Sequence, residues 1–250
     1  MHITRIGLTP LKGARHAELA SLHLDRSGPV GDRLFCLVDT DRNRVVRTVE
    51  NPHIVLVTAE WDGSTLTVRT PEGGEVAASP ISTGERIVSD YWGREAELEV
   101  MDSPHAEQLS AHLGRAVRLA RSARAGEVVY GGSVTIVTTG ALADLGETQS
   151  ERFRSTFTID APRDPEPGTE LRLGEAVVRI RGEVPRCRVV DINPETGLLD
   201  TQHLSTLATQ PRATGEVPFG VDADVLVPGW VRSGDGVEAR DRQPASVVPS

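Results

Sequence analysis

The sequence predicts a mainly β protein with a few short helices, and three observations carry that prediction. Eleven short segments are rich in β-branched residues and bounded by Gly, Pro, Asp or Asn. Helical periodicity is confined to two stretches. The strands follow one another so closely that a barrel or a sandwich is the natural way to bury them.

Taken in chain order, ITRIGLTPL (3–11), RLFCLVD (33–39), HIVLVTAEW (53–61), STLTVRT (64–70) and AELEVM (96–101) read as strands. PHAEQLSAHLG (104–114) then breaks the run with a helical pattern closed by glycine. SVTIVT (133–138) returns to strand and leads through a turn into TGALADLGETQ (139–149), the second helical stretch. RSTFTID (154–160), ELRLG (170–174), AVVRIRG (176–182), CRVVDI (187–192) and DADVLVPG (222–229) complete the strands. The change of texture after Met101 suggests a smaller N-terminal β-rich domain over 1–101 and a second domain over 102–240. DRQPASVVPS (241–250) is polar and reads as a flexible tail.

Bulk properties restrict function. At 250 residues the chain can bury a sizeable core without metals or disulfides as staples. A net charge of −9 and a pI near 5.3 argue against a general nucleic-acid surface, which needs clustered Lys and Arg. Two cysteines are too few for a disulfide framework, a four-cysteine zinc site or an iron–sulfur cluster. MHITRIGLTPLKG lacks the pattern of a secretory leader, and no apolar run approaches a membrane span. A cytoplasmic protein with no membrane partner is the expectation.

Candidate site residues emerge from the cations and cysteines. Lys12 is the only lysine among 27 basic residues, and a compact ammonium suits a single phosphate where a planar guanidinium does not. It ends the first strand; Arg33 follows the GPVGD turn; Arg47, Arg152 and Arg154 lie beside other strands. Thr138 or Thr139 falls near a helix N-cap, a position whose hydroxyl and dipole can favour an anion. A phosphate grip requires Lys12, Arg33 and Arg154 to converge there.

Cys187 lies between Arg186 and Arg188 in PRCRVVDINPETG, where positive charge favours a thiolate, the species that ligates soft metals or attacks substrates. Cys36, inside apolar RLFCLVD, reads as core. No HExxH, GxSxG or GxxxxGK[ST] is present, and a histidine partner for Cys187 can be supplied only in space.

ITRIGLTPLKG with SGPVGDRLFCLVDTD, and RFRSTFTID, PRCRVVDINPETG and PFGVDADVLVPGWVRSGDGV further on, resemble the MOSC family, in the branch with its own N-terminal barrel domain. That branch includes the mitochondrial amidoxime-reducing component and bacterial relatives. The resemblance implies a MOSC-type β-barrel and a molybdenum cofactor, a molybdenum ion on a pterin dithiolene. It implies that Cys187 is the metal ligand and catalytic residue. It further implies that Lys12 and Arg33 hold the cofactor from the N-terminal side, and Thr138, Thr139, Arg154 and Arg186 from the MOSC side. The implied reaction is reduction of an N-hydroxylated, or S- or N-oxide, small molecule with electrons from a separate flavoprotein or ferredoxin. Two departures stand out: Ser155-Thr156 replaces the Pro-Asn usual in relatives, and DAPRDPEPG (160–168) lacks a tryptophan. Two other classes stay open: a non-redox enzyme using Cys187 as nucleophile or sulfur carrier, and a cofactor carrier without turnover.

Overall fold

A computed structural model describes residues 1–124, 126–129, 132–209 and 216–240. The expected tail at 241–250 lies outside the described residues. The chain is mainly β, and its strands fall into a closed barrel, a large open sheet and two small three-stranded sheets among the described residues.

The closed barrel belongs to the first half of the chain. It is built from Phe35–Asp39, Arg44–Val45, Ile81–Tyr91, Arg94–Asp102 and Val117–Ser122. Alternation makes the barrel wall legible: Ala96, Leu98 and Val100 are buried, while Glu95 and Glu97, which alternate with them, are exposed. The helix His105–Leu113 closes over one side, burying Leu109 completely, and ends where Gly114 adopts φ 64°, a left-handed cap that costs glycine nothing. A meander of Thr58–Trp61, Leu66–Arg69 and Glu75–Ala78 packs alongside.

The second half forms an eight-stranded sheet in which Val134–Thr138 runs parallel to Phe157–Ile159 and antiparallel to Pro218–Val227. Its core gathers Ile136, Phe157, Val178, Ile180 and Ala223, all at most 1% exposed.

The two halves are threaded through each other. Ile3–Leu8, from the N-terminal side of the divide expected at 102, pairs with Phe157–Ile159 in the large sheet and contributes Ile3 and Ile6 to its core. Ser21–Asp25 pairs with Gly229–Arg232 near the other end of the chain. Conversely, residues 105–122, from the C-terminal side, pack with the barrel.

Several segments differ from the sequence reading. The expected strand at 53–61 begins as a 3-10 helix, Pro52–Leu56, because Pro52 presets φ at the first helical position; strand starts only at Thr58. CRVVDI is not a strand either: Arg188–Asp191 forms a 3-10 turn in which Val190 N–H donates to Cys187 O at 3.2 Å. A short apolar run has no intrinsic preference strong enough to decide between these states. The second helix stops at Asp144. Ile81–Tyr91 escaped notice because its first six residues are all exposed, so no apolar alternation marks them.

No helix among the described residues is long and apolar enough to cross a membrane.

Phe157 is fully buried at the centre of the large sheet, beside Ile136 and opposite Ile6. Phe157→Ala should lower stability by about 3–5 kcal/mol in urea denaturation. Because Ile3–Leu8 ties the halves, barrel and sheet should lose structure in one transition, monitored by far-ultraviolet dichroism and tryptophan emission.

Candidate functional site

A cavity of about 450 Å³ opens where barrel and sheet meet. The barrel side supplies Lys12, Arg33, Arg47, Tyr91 and Trp92; the sheet side supplies Thr135, Arg152, Arg154, Arg186 and Cys187. The threading of the chain is what brings them together. Leu11 is fully buried in the barrel core and forms a bridge to Phe35, which fixes the turn carrying Lys12. Arg33 N–H donates to Thr9 O at 2.7 Å, and its guanidinium pairs with Asp32 while reaching Arg154 O at 3.1 Å. One arginine therefore spans from the N-terminal turn to the sheet.

Backbone conformation singles out the same place. Among the described residues, four that are not glycine have positive φ: Arg33 (47°), Asn43 (44°), Trp92 (57°) and Arg154 (52°). Three of these four line the cavity. A bulky residue in the left-handed region is disfavoured by about 1–2 kcal/mol and persists where surrounding structure enforces it, commonly at functional sites.

The charges in the cavity are unevenly compensated. Arg33 is paired with Asp32, Arg47 with Asp90, and Arg152 is gripped by Asp200 at 2.8 and 2.9 Å and by Glu147 at 3.0 Å. Arg186 instead donates to Phe219 O and Phe153 O, both at 2.7 Å, and to Ser155 Oγ at 3.3 Å, none of them a carboxylate. Gly220, at φ 74°, lets this side chain approach, since a Cβ there would lie 3.1 Å from its Nη2. Arg154 Nη2 is buried without any hydrogen-bond partner. Among the described residues Lys12 Nζ donates only to Tyr91 OH, at 3.0 Å, and it sits 4.5 Å from that ring's centre.

Burial and mutual repulsion depress these groups. Burial, then the charges of Arg33 and Arg154, bring Lys12 down to about 7. Burial and Arg33 bring Arg154 to about 9, and burial brings Arg186 to about 10. Negative charge on Cys187 acts the other way on all three, so the sulfur lies within their field. Tyr91 is pushed by burial up to about 12 and stays protonated as an acceptor for Lys12.

Cys187 is exposed, in extended conformation at the entry to the 3-10 turn. Cys36 is sealed in the barrel core, its thiol pushed up to about 12 by burial. The structure thus gives the two cysteines opposite environments. Among the described residues no group of three His, Cys, Asp or Glu side chains is placed to hold a metal ion.

Thr138 and Thr139 do not line the cavity. Thr138 caps its helix by accepting from Ala141 N–H at 3.2 Å and donates to Asp164 Oδ1 at 2.8 Å. Thr139 donates to Asp160 Oδ1 at 3.2 Å. At this helix end Gly140 N–H donates to Ala161 O at 3.0 Å, and Gly140 packs closely on Pro162 O, where a Cβ would lie 2.1 Å away. Thr138 thus serves its own helix and Thr139 pairs with Asp160, so the structure does not bring these two expected binding residues to the cavity. The departure at Ser155-Thr156 is absorbed locally: Ser155 positions Arg186, and Thr156 exchanges backbone-to-hydroxyl bonds with Thr135 at 3.1 and 3.2 Å.

Sequence reasoning missed Tyr91 and Trp92. The signal was available in YWGR, aromatic residues set directly before the glycine of a tight turn.

Fold and site define a class: paired β domains enclosing a cationic, thiol-bearing cavity suited to a polyanion. A model of the MOSC domain matches residues 92–238, and one of the MOSC N-terminal beta barrel domain matches residues 1–114. The chain belongs to the MOSC domain family. Among solved structures, the YuaD protein from Bacillus subtilis aligns over 97% of this chain and 96% of its own, at 14% identity and a TM-score of 0.42. A search of curated proteins returned no match.

Lys12 carries a pH signature with a definite sign. Its depressed pKa means that between about pH 7 and 10.5 the unfolded chain holds a proton that the folded chain has released. Stability should therefore rise with pH through this window in wild type relative to Lys12→Met, by urea denaturation at each pH. Equal slopes in the two proteins would show that the amine is not depressed.

Proposed function

We propose that this protein is a molybdenum-cofactor-dependent oxidoreductase that reduces an N-hydroxylated small molecule, with electrons delivered by a separate redox protein. The observation that carries the reading is the exposed Cys187 sulfur on the same cavity as Lys12, Arg154 and Arg186, cations without a hydrogen-bonded carboxylate. The donor set suits the cofactor. A lone thiolate, with no cluster of other ligating side chains among the described residues, matches a metal that brings its remaining ligands with it. The orphaned Arg154 Nη2 is a donor waiting for an anion's oxygen.

Lys12, Arg33 and Arg154 would hold the phosphate, Arg186 the pterin, and Cys187 the metal. When bound, the cofactor supplies two-electron chemistry able to cleave an N–OH bond, the oxygen leaving as water. The chain's own contribution is binding, orientation and proton control. Arg186, clamped by two carbonyls and Ser155, presents its fork in a fixed plane. Arg33 ties both halves around the site through Arg154 O. Lys12, near neutrality when the cavity lacks an anion, takes up a proton at Nζ as negative charge arrives, and Tyr91 shields that ammonium from solvent. Cys187 would add its sulfur as a ligand on the same cavity as these cations.

Protein made in a cofactor-competent host should contain molybdenum, and Cys187→Ala should lower the metal-to-protein ratio at least tenfold with an unchanged dichroism spectrum. Equal molybdenum in the two proteins would remove the thiolate ligand from the proposal. A persulfide or acyl adduct on Cys187 by mass spectrometry, with turnover in the absence of molybdenum, would replace it with the sulfur-carrier reading. Turnover by the wild type should require an added flavoprotein or ferredoxin system and fail with NADH alone.

A further inference from the structure

The barrel lends one feature to the cavity that anion binding does not explain. Ile81–Tyr91 and Arg94–Asp102 are joined by a two-residue turn, with Tyr91 paired to Arg94 and both central residues, Trp92 and Gly93, at positive φ (57° and 81°). This mirror-image turn favours Asn-Gly, because asparagine tolerates the left-handed region and a tryptophan does not. The turn is nevertheless held firmly. Asp90 accepts from Gly93 N–H at 2.8 Å through one oxygen and from Arg47 Nη2 at 2.8 Å through the other. Arg47 in turn lies over the indole of Trp92, 4.5 Å from the ring centre. Turn, carboxylate and guanidinium thus form a closed brace that holds Trp92, strained in its backbone and 40% exposed, at the cavity.

We infer that Trp92 is a substrate-specificity residue, its uncovered surface forming a platform on which a planar, conjugated substrate stacks. The inference rests on the reading above for the reaction and adds the substrate's shape. Arg47 lies over the ring and polarises it, and the exposed surface that Trp92 presents to the cavity is what a flat partner would meet. A flexible aliphatic chain gains little from such a surface, whereas an aryl or heteroaryl group matches its area and its charge pattern. Charge on Arg47 is offset by Asp90 and by Glu50, 3.6 Å away, while its Nε is buried without a hydrogen-bond partner.

The test uses 2-naphthamide and its fully saturated decahydro counterpart as probes, titrated calorimetrically into the full chain with and without bound cofactor. Neither titration requires turnover or Cys187, so failure here leaves the redox reading intact, and failure of that reading leaves this one measurable. Wild type should bind the flat amide at least tenfold more tightly than the saturated one, cofactor present or absent. Trp92→Phe should keep that preference within about threefold, and Trp92→Asn should abolish it. Trp92→Asn should also melt about 2–4 °C above Trp92→Ala, since both lack the ring and only asparagine suits the turn. Equal affinity for the two probes, undiminished binding by Trp92→Asn, or an Asn variant melting no higher than the Ala variant would overturn the inference. Loss of 2-naphthamide binding when the cofactor is present would overturn it too, assigning the indole to the pterin instead.

Discussion

Positive charge held where it is not wanted is the constraint around which this molecule is arranged. Lys12, Arg33, Arg154 and Arg186 converge on one partly closed space, and each depresses its neighbours or is depressed by burial. Such an arrangement is unfavourable in isolation and persists only because a rigid scaffold imposes it. The scaffold here is the interleaving of barrel and sheet, which plants Lys12 and Arg33 on turns anchored in one half and Arg154 and Arg186 on segments anchored in the other. The folded state therefore concentrates positive charge that the unfolded chain disperses.

The contrast between neighbouring arginines shows how finely this is controlled. Arg152 and Arg154 are two residues apart, yet the first is neutralised by Asp200 and Glu147 and the second keeps a buried donor unpaired. The turn at Arg154, with φ at 52°, separates their directions. His203, 2.7 Å from Glu147, extends the Arg152 network into the helix His203–Ala208 and stiffens the wall behind the cavity.

Much of this was legible in the sequence, and what was not has physical reasons. Composition and period-2 alternation were enough for the β class, and the single lysine and the arginine-flanked cysteine marked groups that the fold gathers into one cavity. Thr138 and Thr139 lie off the cavity, and in sequence a hydroxyl near an N-cap looks the same whether it serves an anion or its own helix. CRVVDI misled because alternating apolar residues near a strand end do not reveal whether a partner strand exists. Trp92 left a faint trace, since a tryptophan ahead of glycine in a hairpin contradicts local preference, and such contradictions mark function more often than patterning does. Arg152 was legible as a cation but not as a spent one, because Asp200 lies 48 residues away.

The pairing of Ile3–Leu8 with Phe157–Ile159 has a bearing on how the chain is made. The first strand leaves the ribosome about 150 residues before its partner, an interval of roughly 8–30 s at ordinary elongation rates. Until then Ile3–Leu8 has only the short neighbouring strand Ala17–Leu19 to pair with, and its other edge stays open. Nascent chains of this protein therefore carry a solvent-exposed apolar edge during translation, a binding motif for ribosome-associated chaperones and a seed for aggregation when synthesis outruns them.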